Sequence, residues 1–392
     1  MPAATYEAVS EKRLLIACAR TQMTAAAAQQ IREITSRPLD WDYLLRAAAE
    51  NSILPLLALH LPAVASDAFS PEQSARLKAA ARAAGIRALQ LSAELIRVVD
   101  GLRAEGVLAL PYKGPVIAVQ AYGDLALREF EDLDIIVPQR DMARANDVLL
   151  DLKYSPKFPW IFGQSAVVPG EYNYYDRERR IIVELHTELT LRHFPVVPKL
   201  QEMSRRVENV TIGGHAVPTF GAEDTLVLLC IHGSKDFWER ISWIADVSEF
   251  VQREKRLDWS RVFAHAGELK AARMLNLGLA LASRLLDARL NGEVRARVDA
   301  DGTALALAKQ IEQRLLAREV SPRNVTQSFR YRRQMVPGAL CSWRYGLRLA
   351  TAPAEEDWNM APLPRALSPL YVVLRPFRLF RKYGVSRESR RE

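Results

Sequence analysis

Cysteine is scarce in this chain: three residues in 392, at positions 18, 230 and 341, odd in number and far apart. No C-x-x-C pair occurs, which argues against a disulfide scaffold or a zinc cage and for a reducing compartment. Long apolar runs are missing too. No stretch of about 18 apolar residues is present, so no membrane span is expected. The first residues, MPAATYEAVSEKRLL, spread their charges and hold no apolar signal core, and a cytoplasmic location is expected. The six histidines show no metal-ligand spacing. Neither G-x-S-x-G, H-E-x-x-H, a Walker A loop nor G-x-G-x-x-G occurs on the elements that would give it meaning. Serine-hydrolase, zinc-protease, P-loop and Rossmann chemistry are therefore set aside. No internal repeat or low-complexity linker is visible.

What is present is ordinary globular material, 49% hydrophobic and 26% charged, long enough for two or three domains. The net charge of +8 is unevenly placed. From Ser321 onward there are 14 Lys and Arg against 5 Asp and Glu, whereas the preceding residues hold 40 against 41. This basic end is either a solvated face or a footprint for RNA, another polyanion or an anionic membrane surface. Its last stretch, YVVLRPFRLFRKYGVSRESRRE, interleaves aromatic and basic residues.

Four regions follow from the pattern. Residues 1–104 read as helices, with Asp40 and Ser70 at N-cap positions and Pro71 at a first helical position. Residues 105–220 mix strands and helices: VLALPY, a helix through VIAVQAYG, the strand DLDIIV and an amphipathic helix in RDMARANDVLLDLKY. A hairpin of EYNYYDR and RIIVELHTEL follows, then a second strand pair turning at Gly213-Gly214. Residues 221–320 return to helix, and 321–392 form the basic segment.

Asp132 and Asp134 stand one residue apart where strand DLDIIV begins. Alternate strand residues share a face, so the two carboxylates project together and repel unless something positive binds them. A hard divalent cation such as Mg²⁺ suits such a pair, and two ions about 4 Å apart are an arrangement for displacement at phosphorus. A third carboxylate comes from VELHTEL, as Glu184 or Glu188, with His186 between them on the same face. His186 either orders this site or is a core histidine with a satisfied neighbour. Upstream, Gly114 in YKGP lets the backbone approach a ligand closely, with Lys113 adding charge.

In this order the segments LPYKGPVIAVQAYGDLALREFEDLDIIV, VELHTEL, LVLLCIHGSKDFWERISWIADV and YVVLRPFRLFRKYG resemble the nucleotidyltransferase superfamily. The likeness is closest to a bacterial group labelled uncharacterised nucleotidyltransferases, and it extends over most of the chain. The resemblance implies an α+β (or α/β) fold with a small mixed-sheet core between helical regions. It implies transfer of a nucleoside monophosphate from an NTP to an acceptor hydroxyl on a small molecule, peptide or RNA, with two Mg²⁺ ions. Asp132 and Asp134 match the metal-binding carboxylates, Glu184 the third, and Gly114 the phosphate-loop glycine. Two departures stand out: Gly114 is followed by Pro115, which lacks an N–H for phosphate, and the spacing to Asp132 is long.

Within that reading Arg128 reaches a triphosphate, or else pairs with Glu129, Glu131 or Asp132. His232, Asp236, Glu239, Trp243 and Asp246 recur at helical spacing and are expected to share one helix stripe. By the resemblance that helix flanks the nucleotide, Trp243 stacking on the base and Lys235 meeting phosphate. The contrasting reading is a non-catalytic member of the fold that binds RNA through its basic end.

Overall fold

The computed structural model describes residues 9–157, 170–190, 198–318 and 325–335, together with 194, 196 and scattered positions from 343 to 378. Cys341, the acidic residues 355–357 and most of the basic ending at 371–392 lie outside them. Among the described residues no helix is long and apolar enough to cross a membrane. The chain divides into two compact units. The first comprises Met1–Arg97, Pro111–Leu133 and Arg206–Met335; the second comprises Val98–Leu110, Asp134–Arg205 and Val336–Glu392.

Five helices open the chain: α1 (Ser10–Cys18), α2 (Ala25–Thr35), α3 (Trp41–Glu50), α4 (Leu54–Val64) and α5 (Pro71–Ala104). Their starts follow side-chain chemistry. The Asp40 carboxylate accepts from Tyr43 N at 3.0 Å. Ser70 Oγ accepts from Gln73 N while Gln73 Oε1 accepts from Ser70 N, a reciprocal capping box ahead of Pro71. Helix α3 buries Trp41, Leu44, Ala47 and Ala48, the three- and four-residue spacing of one apolar stripe.

Helix α4 has no cap of its own, and Leu54 N donates instead to Glu129 Oε2 at 3.1 Å. Burial pushes the Glu129 carboxyl up to about 7, against the pull of that hydrogen bond and with help from Glu131. A carboxyl raised in the fold favours folding while protonated. Its contribution is therefore complete below the usual carboxylate range and is lost as pH rises to about 7. Glu129→Gln keeps the acceptor oxygen and removes the charge. It is expected to raise the urea unfolding midpoint at pH 8 and to leave it nearly unchanged at pH 4; equal midpoints at both would contradict the assignment.

The remainder of the first unit is helical, with helices at Ala222–Lys235, Ile241–Arg253, Trp259–Glu268, Ala272–Leu286, Gly292–Asp299, Gly302–Leu316 and Val325–Gln334. A hairpin, β6 (Val207–Ile212) with β7 (His215–Phe220), turns at Gly213 and Gly214. Both glycines have positive φ, +55° and +85°, as a two-residue turn matched to strand twist demands.

The sheet runs in the order β1-β2-β5-β4-β3, from β1 (Leu110–Pro111), β2 (Asp132–Ile136), β3 (Ser155–Pro156), β4 (Glu171–Asp176) and β5 (Ile181–His186). With flanking helices this mixed sheet makes the α+β core expected from the sequence. Two elements are shorter than their sequences suggest. VLALPY contributes only Leu110–Pro111 to the sheet, and the helix through VIAVQAYG is one α turn, α6 (Pro115–Ile117), continued as a π turn over Ala118–Tyr122.

Strands β4 and β5 pair antiparallel, with Tyr174 opposite Val183 and Asn173 opposite Glu184. Ile181, Val183 and Leu185 are buried on one face of β5. Tyr174 lies on that same face and donates to Asn146 Oδ1 of α7 (Met142–Asp151) at 3.0 Å, so α7 covers it. At Gly101, α5 presses against Val148 of α7, where a Cβ would meet the side chain at 3.3 Å. The other face of the sheet carries polar residues alongside Ile136 and Ile182.

Candidate metal centre

Strand β2 delivers its carboxylates to that polar face. Leu133 and Ile135 are buried in the alternation, and Asp134, on the opposite side, is only 4% exposed. Asp132 shares the Asp134 side one strand repeat earlier, and is half-buried. From β5 the same face receives Glu184 and His186. From β4 it receives Asn173 and Glu171, which stand directly opposite them. The backbone fixes the register beside the site: Val137 N donates to His186 O at 2.8 Å.

Three of these side chains converge. His186 Nε2 lies 3.0 Å from Asp134 Oδ1 and 3.6 Å from Glu184 Oε2. The three donor atoms all fall within 4.8 Å of one another, which is the grouping among the described residues that suits a metal ion. Adjacent donors of an octahedral ion with ligands at about 2.1 Å are about 3.0 Å apart, a spacing that the His186–Asp134 pair already has and that the His186–Glu184 pair, at 3.6 Å, approaches. The donor set, two carboxylates and an imidazole, therefore fits a divalent cation.

The two candidate third carboxylates, Glu184 and Glu188, occupy different positions. Glu184 is in the converging group. Glu188 lies past the end of β5, where its N–H donates to Gly170 O at 3.3 Å and its side-chain stem rests against Gly170.

The model of a protein family described as uncharacterised nucleotidyltransferase matches residues 37–287, well over half of the chain. The chain belongs to this nucleotidyltransferase family. Its membership, like the sheet that carries the acidic group, accords with the resemblance drawn from the sequence. Comparison with the curated proteins and with the solved structures returns no match. Membership of this family supports transfer of a nucleoside monophosphate as its general chemistry.

The remaining sequence candidates sit in the first unit. Gly114 adopts φ +51° and ψ −123°, a conformation closed to other residues, at the start of α6. A Cβ there would lie 3.5 Å from Asp132 O, so the turn is packed against the start of β2. Lys113 Nζ stands 5.2 Å over the Tyr112 ring. Arg128 makes a two-pronged ion pair with Asp246, Nε at 2.8 Å and Nη2 at 2.9 Å, rather than with its sequence neighbours Glu129, Glu131 or Asp132. Arg128 Nη1 also reaches Gly114 O at 3.5 Å. Burial opposes the Arg128 charge, but Asp246 and, more weakly, Asp132 hold its pKa above the ordinary value. The Tyr122 hydroxyl donates to the same Asp246 at 2.8 Å, brought there by the π turn.

The expected single stripe from His232 to Asp246 does not exist as one helix. The first helix stops at Lys235, Phe237 and Trp238 take left-handed φ values of 62° and 54°, and a new helix starts at Ile241. The break is held by tertiary packing that local sequence does not announce. Trp238 is fully buried, its backbone N–H donates to Gly233 O at 2.8 Å, and its indole fills the space where a Gly233 side chain would be.

The break nonetheless folds several stripe members together. His232 Nδ1 lies 3.2 Å from Asp236 Oδ2, Lys235 Nζ lies 3.5 Å from the same oxygen, and the His232 and Trp243 rings meet edge to face with centroids 5.1 Å apart. Burial, then the nearby Lys113 charge, pushes His232 down to about 4, so its imidazole is neutral at physiological pH. Arg240 stands 5.7 Å over the Trp243 ring. The basic C-terminal ending lies largely outside the described residues.

Sequence reading missed Glu171 and Asn173 as occupants of the polar face. Their E-x-N alternation in EYNYYD was visible, but only the register with β5 shows which face it joins.

Proposed function

We propose that this protein transfers a nucleoside monophosphate from an NTP to an acceptor hydroxyl, releasing pyrophosphate, with Mg²⁺ or a similar divalent cation at the polar face of the sheet. The observation that carries the reading is the convergence of Asp134, Glu184 and His186 in a chain of this family. Asp134 and Glu184 would hold the cation, with Asp132 as a further carboxylate on the same strand face. A bound divalent cation neutralises triphosphate charge and lowers the pKa of a coordinated hydroxyl. Glu184, half-buried at the strand, would bind the cation or act as base toward the acceptor hydroxyl.

The proposed catalytic core is the stretch 105–220. The first-unit residues take supporting roles. Lys113 contacts phosphate, and the open turn at Gly114 lets backbone approach the ligand. Arg128, anchored on Asp246 and touching the Gly114 carbonyl, keeps that turn in place and supplies positive potential to phosphate. Lys235 and Trp243 contact phosphate and base. The acceptor is a hydroxyl of a small molecule, peptide or RNA.

The test is calorimetric titration with each of the four NTPs, with and without Mg²⁺, on wild type and on Asp132→Asn/Asp134→Asn. It is paired with release of pyrophosphate from α-labelled NTP in the presence of candidate acceptors. Cation-dependent NTP binding that the double variant loses is the expected result. Binding or turnover that is indifferent to the cation and to both substitutions would sink the proposal.

A further inference from the structure

A pair of strand carboxylates needs no histidine to bind Mg²⁺, an ion that takes oxygen ligands and retains much of its water. Yet one member of the group, nearly as buried as Asp134, is an imidazole. His186 is 6% exposed, and its Nε2 faces both carboxylates, 3.0 Å from Asp134 Oδ1 and 3.6 Å from Glu184 Oε2. A histidine that merely orients one metal-bound carboxylate stands behind it, on the side away from the other ligands, and donates its N–H there. Here the same nitrogen closes a triangle with the ligand oxygens of both acids, all within 4.8 Å. The sheet enforces this arrangement. Glu184 and His186 are alternate residues of β5, so their side chains leave the same face, and the Val137–His186 backbone bond holds β2 alongside.

We propose that His186 is itself a ligand, giving the centre an oxygen, oxygen, nitrogen donor set that selects a first-row transition-metal dication over Mg²⁺. The inference rests on reading this face as metal-binding, and it deepens the proposed function by naming the class of ion. Imidazole nitrogen adds affinity for transition-metal ions, whereas hard Mg²⁺ gains little by exchanging a water for it. Neutral imidazole must offer a bare Nε2 to the ion, so metal entry replaces the Nε2···Asp134 hydrogen bond by two bonds to one cation. The proton carried by His186 in the metal-free state moves to Nδ1 or to solvent.

The test uses the full-length protein and Mn²⁺ alone as probe, with Mg²⁺ as competitor and no nucleotide. Electron paramagnetic resonance of bound Mn²⁺ is expected to show coupling to a ¹⁴N nucleus, and Mn²⁺ is expected to bind more tightly than Mg²⁺. In His186→Gln the nitrogen coupling should vanish and Mn²⁺ affinity fall by about 10-fold or more, with Mg²⁺ affinity changed much less. In Glu184→Gln both ions should weaken together and the coupling should persist in whatever Mn²⁺ remains bound. Mn²⁺ held without nitrogen coupling, no Mn²⁺ bound at all, or equal Mn²⁺ affinity in wild type and His186→Gln would each overturn the proposal. Should His186→Gln fail to fold, the wild-type spectrum decides alone. Because no nucleotide is present, a protein that shows the coupling but turns over no NTP would refute the proposed function and leave the ligand assignment standing.

Discussion

Asp134→Asn is expected to abolish cation binding at the sheet and to lower nucleotidyl transfer by about 1,000-fold or more. Asparagine has the same shape and can still accept a hydrogen bond from His186, so the loss is one of charge at the position that lies closest to the imidazole, 3.0 Å from it. The fold should not suffer. Asp134 is 4% exposed and shares its face with Glu184 and Asp132, and removing one of several neighbouring carboxylates relieves repulsion in the metal-free state. The decisive comparison is therefore thermal stability with and without divalent cation. Wild type should gain stability as the cation rises above its dissociation constant, and the variant should gain none. A variant that retains transfer, or one still stabilised by the cation as wild type is, would remove Asp134 from the centre.

Arg128→Ala is expected to cost about 3–5 kcal/mol of stability, an effect far larger than the loss of a surface ion pair. The reason lies with Asp246, which is 1% exposed and takes both prongs of the guanidinium as well as the Tyr122 hydroxyl. Without Arg128 a buried carboxylate keeps the tyrosine alone. Arg128→Ala/Asp246→Ala should recover a good part of the loss, since the uncompensated charge is gone. Urea denaturation of the two single variants and the double measures the coupling directly. A stable Arg128→Ala protein with weakened NTP binding would instead make Arg128 a phosphate ligand and not an anchor.

Much of this fold is local enough to be read in the chain. Asp40 and Ser70 announced helix starts because an N-cap is satisfied within three residues of itself. The second hairpin was marked by Gly213-Gly214 at its turn, and Asp132, Asp134 and Glu184 were visible as acids in strand rhythm. What stayed hidden depends on distant partners. Phe237 and Trp238 break a helix without glycine or proline because Trp238 is paid for by a slot beside Gly233, and nothing between Lys235 and Ile241 records that slot. Arg128 has three acidic neighbours in sequence, yet it pairs with Asp246, 118 residues away. His186 was legible as sharing a face with Glu184, but its approach to Asp134 required knowing that β5 lies next to β2.

The alternation of β5 has one more consequence, for how this site can fail. Glu184 and His186 alternate with Val183 and Leu185, so a slip of one residue against β2 would not distort the centre by degrees. It would put Val183 and Leu185, or Leu185 and Thr187, where Glu184 and His186 stand, and turn the glutamate and the histidine toward α7. In register β5 contributes both Glu184 and His186 beside Asp134; one residue out of register it contributes neither, and only the β2 carboxylates remain. The polar grouping and the correct pairing of this sheet are therefore one property: the convergence of Asp134, Glu184 and His186 is present only when β5 pairs in this register.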